Sequence, residues 1–158
     1  MKIAQVLGTD NQILKDKIVN FWVSENCMGE SEANLRISQA LAAILDDDNN
    51  VIGVCSGKPF YVEQLRDWFI YYRSYTKPEF RNLDISKFLF NSVFRFLNDS
   101  ESKSFEGVDV KGIYIVFESE ILNSFVKKYV HNSNLTLIGW NDKNQQMRVS
   151  YFNNAQMK

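Results

Sequence analysis

The chain has only two cysteines, Cys27 and Cys55, and their spacing fits neither a disulfide framework nor a metal site. A secreted, disulfide-stapled scaffold is thereby excluded, and two reduced thiols in a cytoplasmic protein are expected. His131 is the one histidine, just past an expected helix end among Asn and Ser, a capping or surface position. With no histidine near Cys55 and no Gly-x-Ser-x-Gly elbow, hydrolase triads find no support, and no zinc spacing is present. Neither charge sign prevails: the net charge is -1, which gives no general attraction to nucleic acid or to a membrane surface. No stretch approaches the ~20 apolar residues of a membrane span. No long apolar run follows Met1 to Gln5 either, so no signal peptide is expected. Repeats, low-complexity segments and linkers are absent, and 158 residues suit a single domain over 1–158.

What is present is hydrophobic patterning: 45% of residues are hydrophobic and 14% aromatic, enough for a substantial core. Ile3 to Leu7 reads as a first strand. Ile13, Leu14, Lys17, Ile18, Phe21 and Trp22 then recur at helical spacing, with Asp10 or Asn11 as cap. A short second helix is placed around Glu30 to Leu35. Ala40–Leu45 and Val51–Cys55 flank Asp46-Asp47-Asp48-Asn49-Asn50 and read as a hairpin. The acidic run lacks the twelve-residue ligand spacing of a calcium loop, so it is read as a solvated turn and no metal is expected. Ser56 to Pro59 reads as a loop, because proline cannot donate to a central ladder.

Two runs, Trp68–Tyr72 and Ile113–Phe117, are apolar without alternation, as in strands covered on both faces. Between them Ile85, Phe88, Leu89, Ser92, Val93, Phe96 and Leu97 follow the i, i+3, i+4, i+7 rule of one amphipathic helix. Two such strands joined by one helix imply a parallel, right-handed crossover. Asn98 to Gly107 reads as loop. Ile121, Leu122, Phe125, Val126 and Tyr129 mark a further helix, and Leu135–Trp140 with Met147–Phe152 a last hairpin. The predicted fold is α/β (α+β): one mixed, mostly antiparallel sheet with a central parallel crossover pair and helices on both faces. The tyrosine-rich run Tyr71, Tyr72, Arg73, Tyr75 belongs to that core rather than to a base-stacking platform, so nucleic acid is not an expected partner.

The segment between the first central strand and the long helix carries the chemistry. Pro78 turns the chain out of the strand, and the first helical turn leaves about four N–H groups without intrahelical partners. Those donors, the helix dipole and Arg81 together favour a phosphate, whereas Asp84 could equally cap the helix through its own carboxylate. Thr76 to Ser86 resembles the coenzyme-A signature of the GNAT acyltransferase superfamily, Arg/Gln-x-x-Gly-x-Gly/Ala. Arg81 falls on its first position, Ile85 on the apolar one and Ser86 on the last; the element order from Ile3 to Phe152 is similar to the GNAT fold.

The resemblance implies an N-acyltransferase moving an acetyl or other acyl group from acetyl-CoA, as cosubstrate, to an amine. It implies that the backbone of Ser74, Tyr75 and Thr76 pairs with the pantetheine arm. Arg81 with the backbone of Asn82, Leu83, Asp84, Ile85 and Ser86 would hold the pyrophosphate, and Lys87 the nucleotide phosphates. It also implies an acid, Tyr129, on the helix after the second central strand. Glu118, with Glu120 close by, directly follows that strand and is a base or substrate contact; Asp67 and Glu63 are further base candidates. The fold analogy also allows the final hairpin to pair with a second subunit as a homodimer. Asp84 stands where the family has its first helix-opening glycine. That departure motivates the alternative reading, a GNAT-fold binding or regulatory protein with lost or altered catalysis.

Overall fold

A computed structural model of the chain describes residues 1–81, 83–100, 104–124, 129–130, 133–153 and 155; for residues 83, 121, 129 and 130 it describes the backbone alone. The strands are β1 (Lys2–Gln5), β2 (Ala40–Leu45), β3 (Val51–Val62), β4 (Asp67–Thr76), β5 (Ser104–Phe105), β6 (Val108–Asp109), β7 (Gly112–Val116), β8 (Tyr129–Val130), β9 (Leu135–Trp140) and β10 (Gln146–Tyr151). The α-helices are α1 (Gln12–Ser24), α2 (Glu30–Arg36), α3 (Leu83–Asp99) and α4 (Glu120–Asn123). Eight strands follow the ladder order β1-β2-β3-β4-β7-β10-β9-β8, and β5 pairs with β6 separately. β4 and β7 are parallel, whereas β1–β2, β2–β3, β7–β10, β9–β10 and β8–β9 are antiparallel. This is the mixed, mostly antiparallel sheet with one parallel pair that the sequence predicts. By contact density the chain divides into two compact units, Met1–Gly57 with Ser74–Val93, and Lys58–Arg73 with Phe94–Lys158.

In the first unit, Asn11 caps α1 by accepting a hydrogen bond from the Leu14 N–H at 3.0 Å. The helix buries Leu14, Ile18, Phe21 and Trp22, while Ile13 stays exposed. These side chains share a core with Ala33 of α2, Ala43 and Leu45 of β2, and Val51 and Val54 of β3. The acidic run closes the β2–β3 hairpin. Asp46 Oδ1 accepts from the backbone N–H groups of Asp48 at 3.0 Å and Asn50 at 2.7 Å, and Asn49 adopts a positive φ of 62°. The Asn50 N–H holds the Asp46 carboxyl below its ordinary range.

In the second unit, Ile70, Tyr71 and Tyr72 of β4 align with Ile113, Tyr114 and Ile115 of β7. Val62, Phe69, Tyr114, Met147 and Val149 form the core. Two expectations need correction here. β3 does not stop before Pro59 but runs to Val62, because Phe60 stacks on Tyr114 at 5.2 Å and tilts against Tyr71 at 5.6 Å, which holds the strand extended. The stretch from Asn98 to Gly107 is not all loop, since α3 extends to Asp99 and β5 begins at Ser104.

At Gly112 of β7, paired with Tyr151, a Cβ would lie 2.9 Å from the Ser150 carbonyl carbon and closer still to its oxygen. The neighbour is backbone and cannot rotate aside. Gly112→Ala is therefore expected to destabilise the protein by about 2–3 kcal/mol in urea unfolding. Gly29→Ala, with nothing within 4 Å of the added carbon, should cost under about 1 kcal/mol. Equal midpoints for the two variants would disprove the close approach.

Candidate active site

The second unit holds a recess of about 280 Å³, lined by Tyr71, Val116, Glu118, Asn141, Asp142, Lys143 and Gln145. Tyr71 reaches it from β4. Its ring is fixed by Phe60 at 5.6 Å, by Tyr114 at 5.4 Å and by the Arg73 guanidinium at 5.5 Å. Burial, and then the Glu118 carboxylate, push the Tyr71 phenol above its ordinary range, with Arg73 opposing. The phenol therefore stays neutral, able to donate and accept hydrogen bonds across the physiological range.

Glu118 is exposed, but the segment carrying it is held from beneath. The Asn123 side-chain amide donates to Phe117 O and, at 3.1 Å, to Ser119 O; Ser119 Oγ in turn accepts from the Leu122 N–H and caps α4. Asn123 Oδ1 accepts from Gln146 N at 2.8 Å, and the Gln146 side chain donates to Asn123 O at 2.7 Å. Gln146 Oε1 receives two bonds from Arg148, from Nε at 3.0 Å and Nη2 at 2.7 Å. Arg148 is fully buried, lies 5.2 Å from the Phe117 ring centre, and has its pKa lowered by burial. The β9–β10 turn supplies Asn141, Asp142, Lys143 and Gln145 to the lining. Asn141 Oδ1 accepts from Lys143 N at 3.0 Å and Gln145 N at 2.9 Å, and Asn144 takes a positive φ of 57°. Asp142 and Lys143 are thus presented side by side on a turn with a fixed backbone.

The first unit holds the expected coenzyme segment. Ser74 is exposed at the end of β4, Tyr75 is half-buried, and Thr76 is buried. After Thr76 a turn of 3-10 helix, Pro78–Phe80, leads to Arg81. Arg81 is exposed, yet its side chain is engaged: Nε donates to Thr76 O at 2.9 Å and the guanidinium lies 4.8 Å from the Tyr75 ring centre. Burial pushes the Tyr75 phenol up, as does neighbouring Cys27, while Arg81 lowers it. Cys27 is itself raised by burial and then by Glu25, so it is not an activated thiol. Lys77 pairs with Glu25 at 3.7 Å.

Because α3 begins at Leu83, Asp84 is not the cap residue but sits, exposed, in the first turn. There its carboxylate favours the helix dipole. Ile85, Ser86 and Lys87 continue the helix, half-buried, and Asn82 lies outside the described residues.

Of the acid/base candidates, the structure brings Glu118 into the recess. Glu120 starts α4, Glu63 is exposed in the β3–β4 turn, and Asp67 is buried beside Tyr151, whose phenol burial and Asp67 raise. The helix expected to carry Tyr129 is corrected. α4 ends at Asn123, whose amide is spent on Phe117 and Ser119, and Tyr129 instead lies on strand β8, paired with Thr136. Ser133 and Asn134 form a turn before β9, with Asn134 at a φ of 52°. Phe125, Val126 and His131 fall outside the described residues. Sequence reasoning misses Tyr71, which reads as core, and the Asn141–Gln145 turn, which reads only as the connection of the last hairpin. Among the described residues no group of three or more His, Cys, Asp or Glu side chains could hold a metal ion, and no helix is long and apolar enough to cross a membrane.

No protein-family model and no curated protein matches this sequence. Solved structures do match in fold. A GNAT-family acetyltransferase from Streptococcus pneumoniae superposes with a TM-score of 0.60 at 9% identity, over 96% of this chain and 99% of the other. A GNAT superfamily phosphinothricin acetyltransferase from Sinorhizobium meliloti, solved in complex with AcCoA, gives 0.58 at 15% identity, over 99% and 91%. The aminoglycoside 6'-N-acetyltransferase from Enterococcus faecium gives 0.57 at 12% identity, over 97% and 98%. The chain has the fold of the GNAT acetyltransferases.

The network beneath Glu118 makes a double-mutant prediction. Gln146→Leu strips the buried Arg148 of two hydrogen bonds and should cost about 3 kcal/mol in urea unfolding. Adding Arg148→Met removes the stranded charge and should recover part of that loss. If Gln146→Leu alone costs less than about 0.5 kcal/mol, the network does not hold the segment.

Proposed function

We propose that the protein is an acetyl-CoA-dependent N-acyltransferase acting on an amine. The observation that carries this reading is the β4–turn–α3–β7 crossover, in a chain that shares its fold with acetyltransferases over nearly its whole length. Within the first unit, the donor set suits a diphosphate: the first-turn N–H groups of a seventeen-residue helix, with Arg81 just before it and Lys87 one turn on. The backbone around Ser74 to Thr76 is the proposed pantetheine contact. Within the first turn of α3, Asp84 is the residue whose charge opposes the ligand.

Acetyl-CoA, when bound, supplies an acyl group activated as a thioester. The chain's own work is to orient the amine, take its proton and return one to the departing thiolate. Glu118, in the recess, is the proposed base: a carboxylate that first pairs with the acceptor's ammonium and then accepts its proton. Tyr129 on β8 and Tyr71 in the recess are the proposed phenolic acids, and the raised pKa of Tyr71 keeps it protonated for that role. The second reading, a GNAT-fold binding or regulatory protein, is favoured by Asp84 and by the engagement of Arg81 with Thr76 and Tyr75.

Calorimetry with acetyl-CoA separates the two. The enzyme reading expects binding below millimolar concentration, and absence of binding at millimolar ligand would sink it. Asp84→Asn removes one like charge some ~5 Å from the expected diphosphate and should tighten binding by about five- to tenfold. An unchanged Kd would place Asp84 away from the ligand. For acetyl transfer, Glu118→Gln should lower kcat by about a hundredfold or more with KM little changed. A raised KM with kcat intact would assign Glu118 to binding rather than proton transfer.

A further inference from the structure

The recess in the second unit is small, and it carries both signs of charge. Its volume of about 280 Å³ is roughly nine times the ~30 Å³ share of one water, near the lower limit of ligand pockets. It therefore suits a molecule of amino-acid size. Glu118, Asp142 and Lys143 all line it, the last two adjacent in the chain. Among the described residues none of these three joins an ion pair, and all three are exposed, so none of the charges is neutralised by a neighbour. The wall that carries Asp142 and Lys143 is pre-formed, because Asn141 Oδ1 binds two N–H groups of its turn and Asn141 Nδ2 donates to Gln145 Oε1 at 2.9 Å. Val116 and the Tyr71 ring supply the apolar contact.

We propose that this recess selects a small zwitterionic acceptor, a primary amine that also carries a carboxylate, as a free amino acid does. This rests on the acyltransferase reading and names its acceptor class. Glu118 and Asp142 offer carboxylates to the ammonium, and Lys143 pairs with the carboxylate. A simple diamine would bring its second cation against Lys143, and a monoamine without a carboxylate would leave Lys143 without its counter-charge. The amide of Gln145 and the phenol of Tyr71 complete the polar contacts.

The test uses four ligands of one carbon skeleton, titrated into the free protein and followed by backbone amide shifts at Glu118 and Asn141 to Gln145. They are L-2-aminobutanoate, 4-aminobutanoate, 1,4-diaminobutane and 1-aminobutane. At least one of the two aminobutanoates should bind about tenfold more tightly than either carboxylate-free amine. Lys143→Glu should reverse that order, weakening both aminobutanoates and strengthening 1,4-diaminobutane. The proposal is overturned if 1,4-diaminobutane binds the unmodified protein most tightly, if Lys143→Glu leaves the order unchanged, or if no ligand moves these amides. Acetyl transfer to the same four compounds is scored separately. The predicted binding order without transfer to any of them would overturn the acyltransferase reading and leave the acceptor site standing.

Discussion

The constraint on which the second unit depends is the short parallel ladder between β4 and β7. Parallel neighbours cannot be joined by a tight turn, so the chain must leave β4, cross over and return. α3 makes that crossing. Ile70 and Ile113, paired in the ladder and fully buried, each contribute about 1.5–3 kcal/mol by burial. The same register places Tyr71 opposite Tyr114 and half-exposed, which is why a strand made of core residues still offers one phenol to the recess. The site is thus a consequence of the ladder's register: a shift of one residue would turn Tyr71 to the other face.

A second constraint is polar. Burying Arg148 among Gln146, Phe117 and the Leu135 carbonyl, 3.5 Å from Nη1, is expensive, and an apolar residue would fill the volume at lower cost. What the arginine adds is direction. It fixes the Gln146 carboxamide, which donates to Asn123 O, and the Asn123 amide in turn holds the carbonyls of Phe117 and Ser119 on either side of Glu118. An exposed carboxylate otherwise samples many positions, so a chain of buried amides beneath its backbone narrows that range.

The sequence reveals the frame more readily than the site. The two solid apolar runs and the 3–4 spacing of α3 are strong signals, since burial on both faces and on one stripe leave different patterns. The Asp/Asn run of β2–β3 is legible because side-chain oxygens that bind nearby N–H groups favour turns wherever they occur. The errors fall where one pattern serves two structures. Five residues from Ile121 to Tyr129 satisfy helical spacing, yet the helix stops when Asn123 turns its amide back onto the chain, and Tyr129 becomes strand. Pro59 reads as a breaker, yet the two aromatic contacts of Phe60 hold β3 extended. Tyr71 is invisible as a site residue because a half-buried tyrosine and a core tyrosine look alike until the register is known. Glu118 is legible by position alone, just after a central strand. The Asn141–Gln145 turn, more than twenty residues further along the chain than Glu118, requires the fold.

The start of α3 shows how one residue can stabilise a helix and oppose an incoming anion. First-turn N–H groups and the positive end of the dipole attract negative charge whatever its source. Asp84 supplies a carboxylate there, worth about 0.3–1 kcal/mol to the helix in the absence of any ligand. A diphosphate entering the same field must displace that favourable interaction and face its repulsion as well. Arg81 compounds the effect, because its guanidinium already has a carbonyl and an aromatic ring as partners. A glycine at position 84 would leave both the space and the field to the ligand. The helix end is therefore partly neutralised by its own chain, so that any affinity for a diphosphate there is a balance between the pull of the first-turn N–H groups and the repulsion of Asp84 rather than a property of the fold.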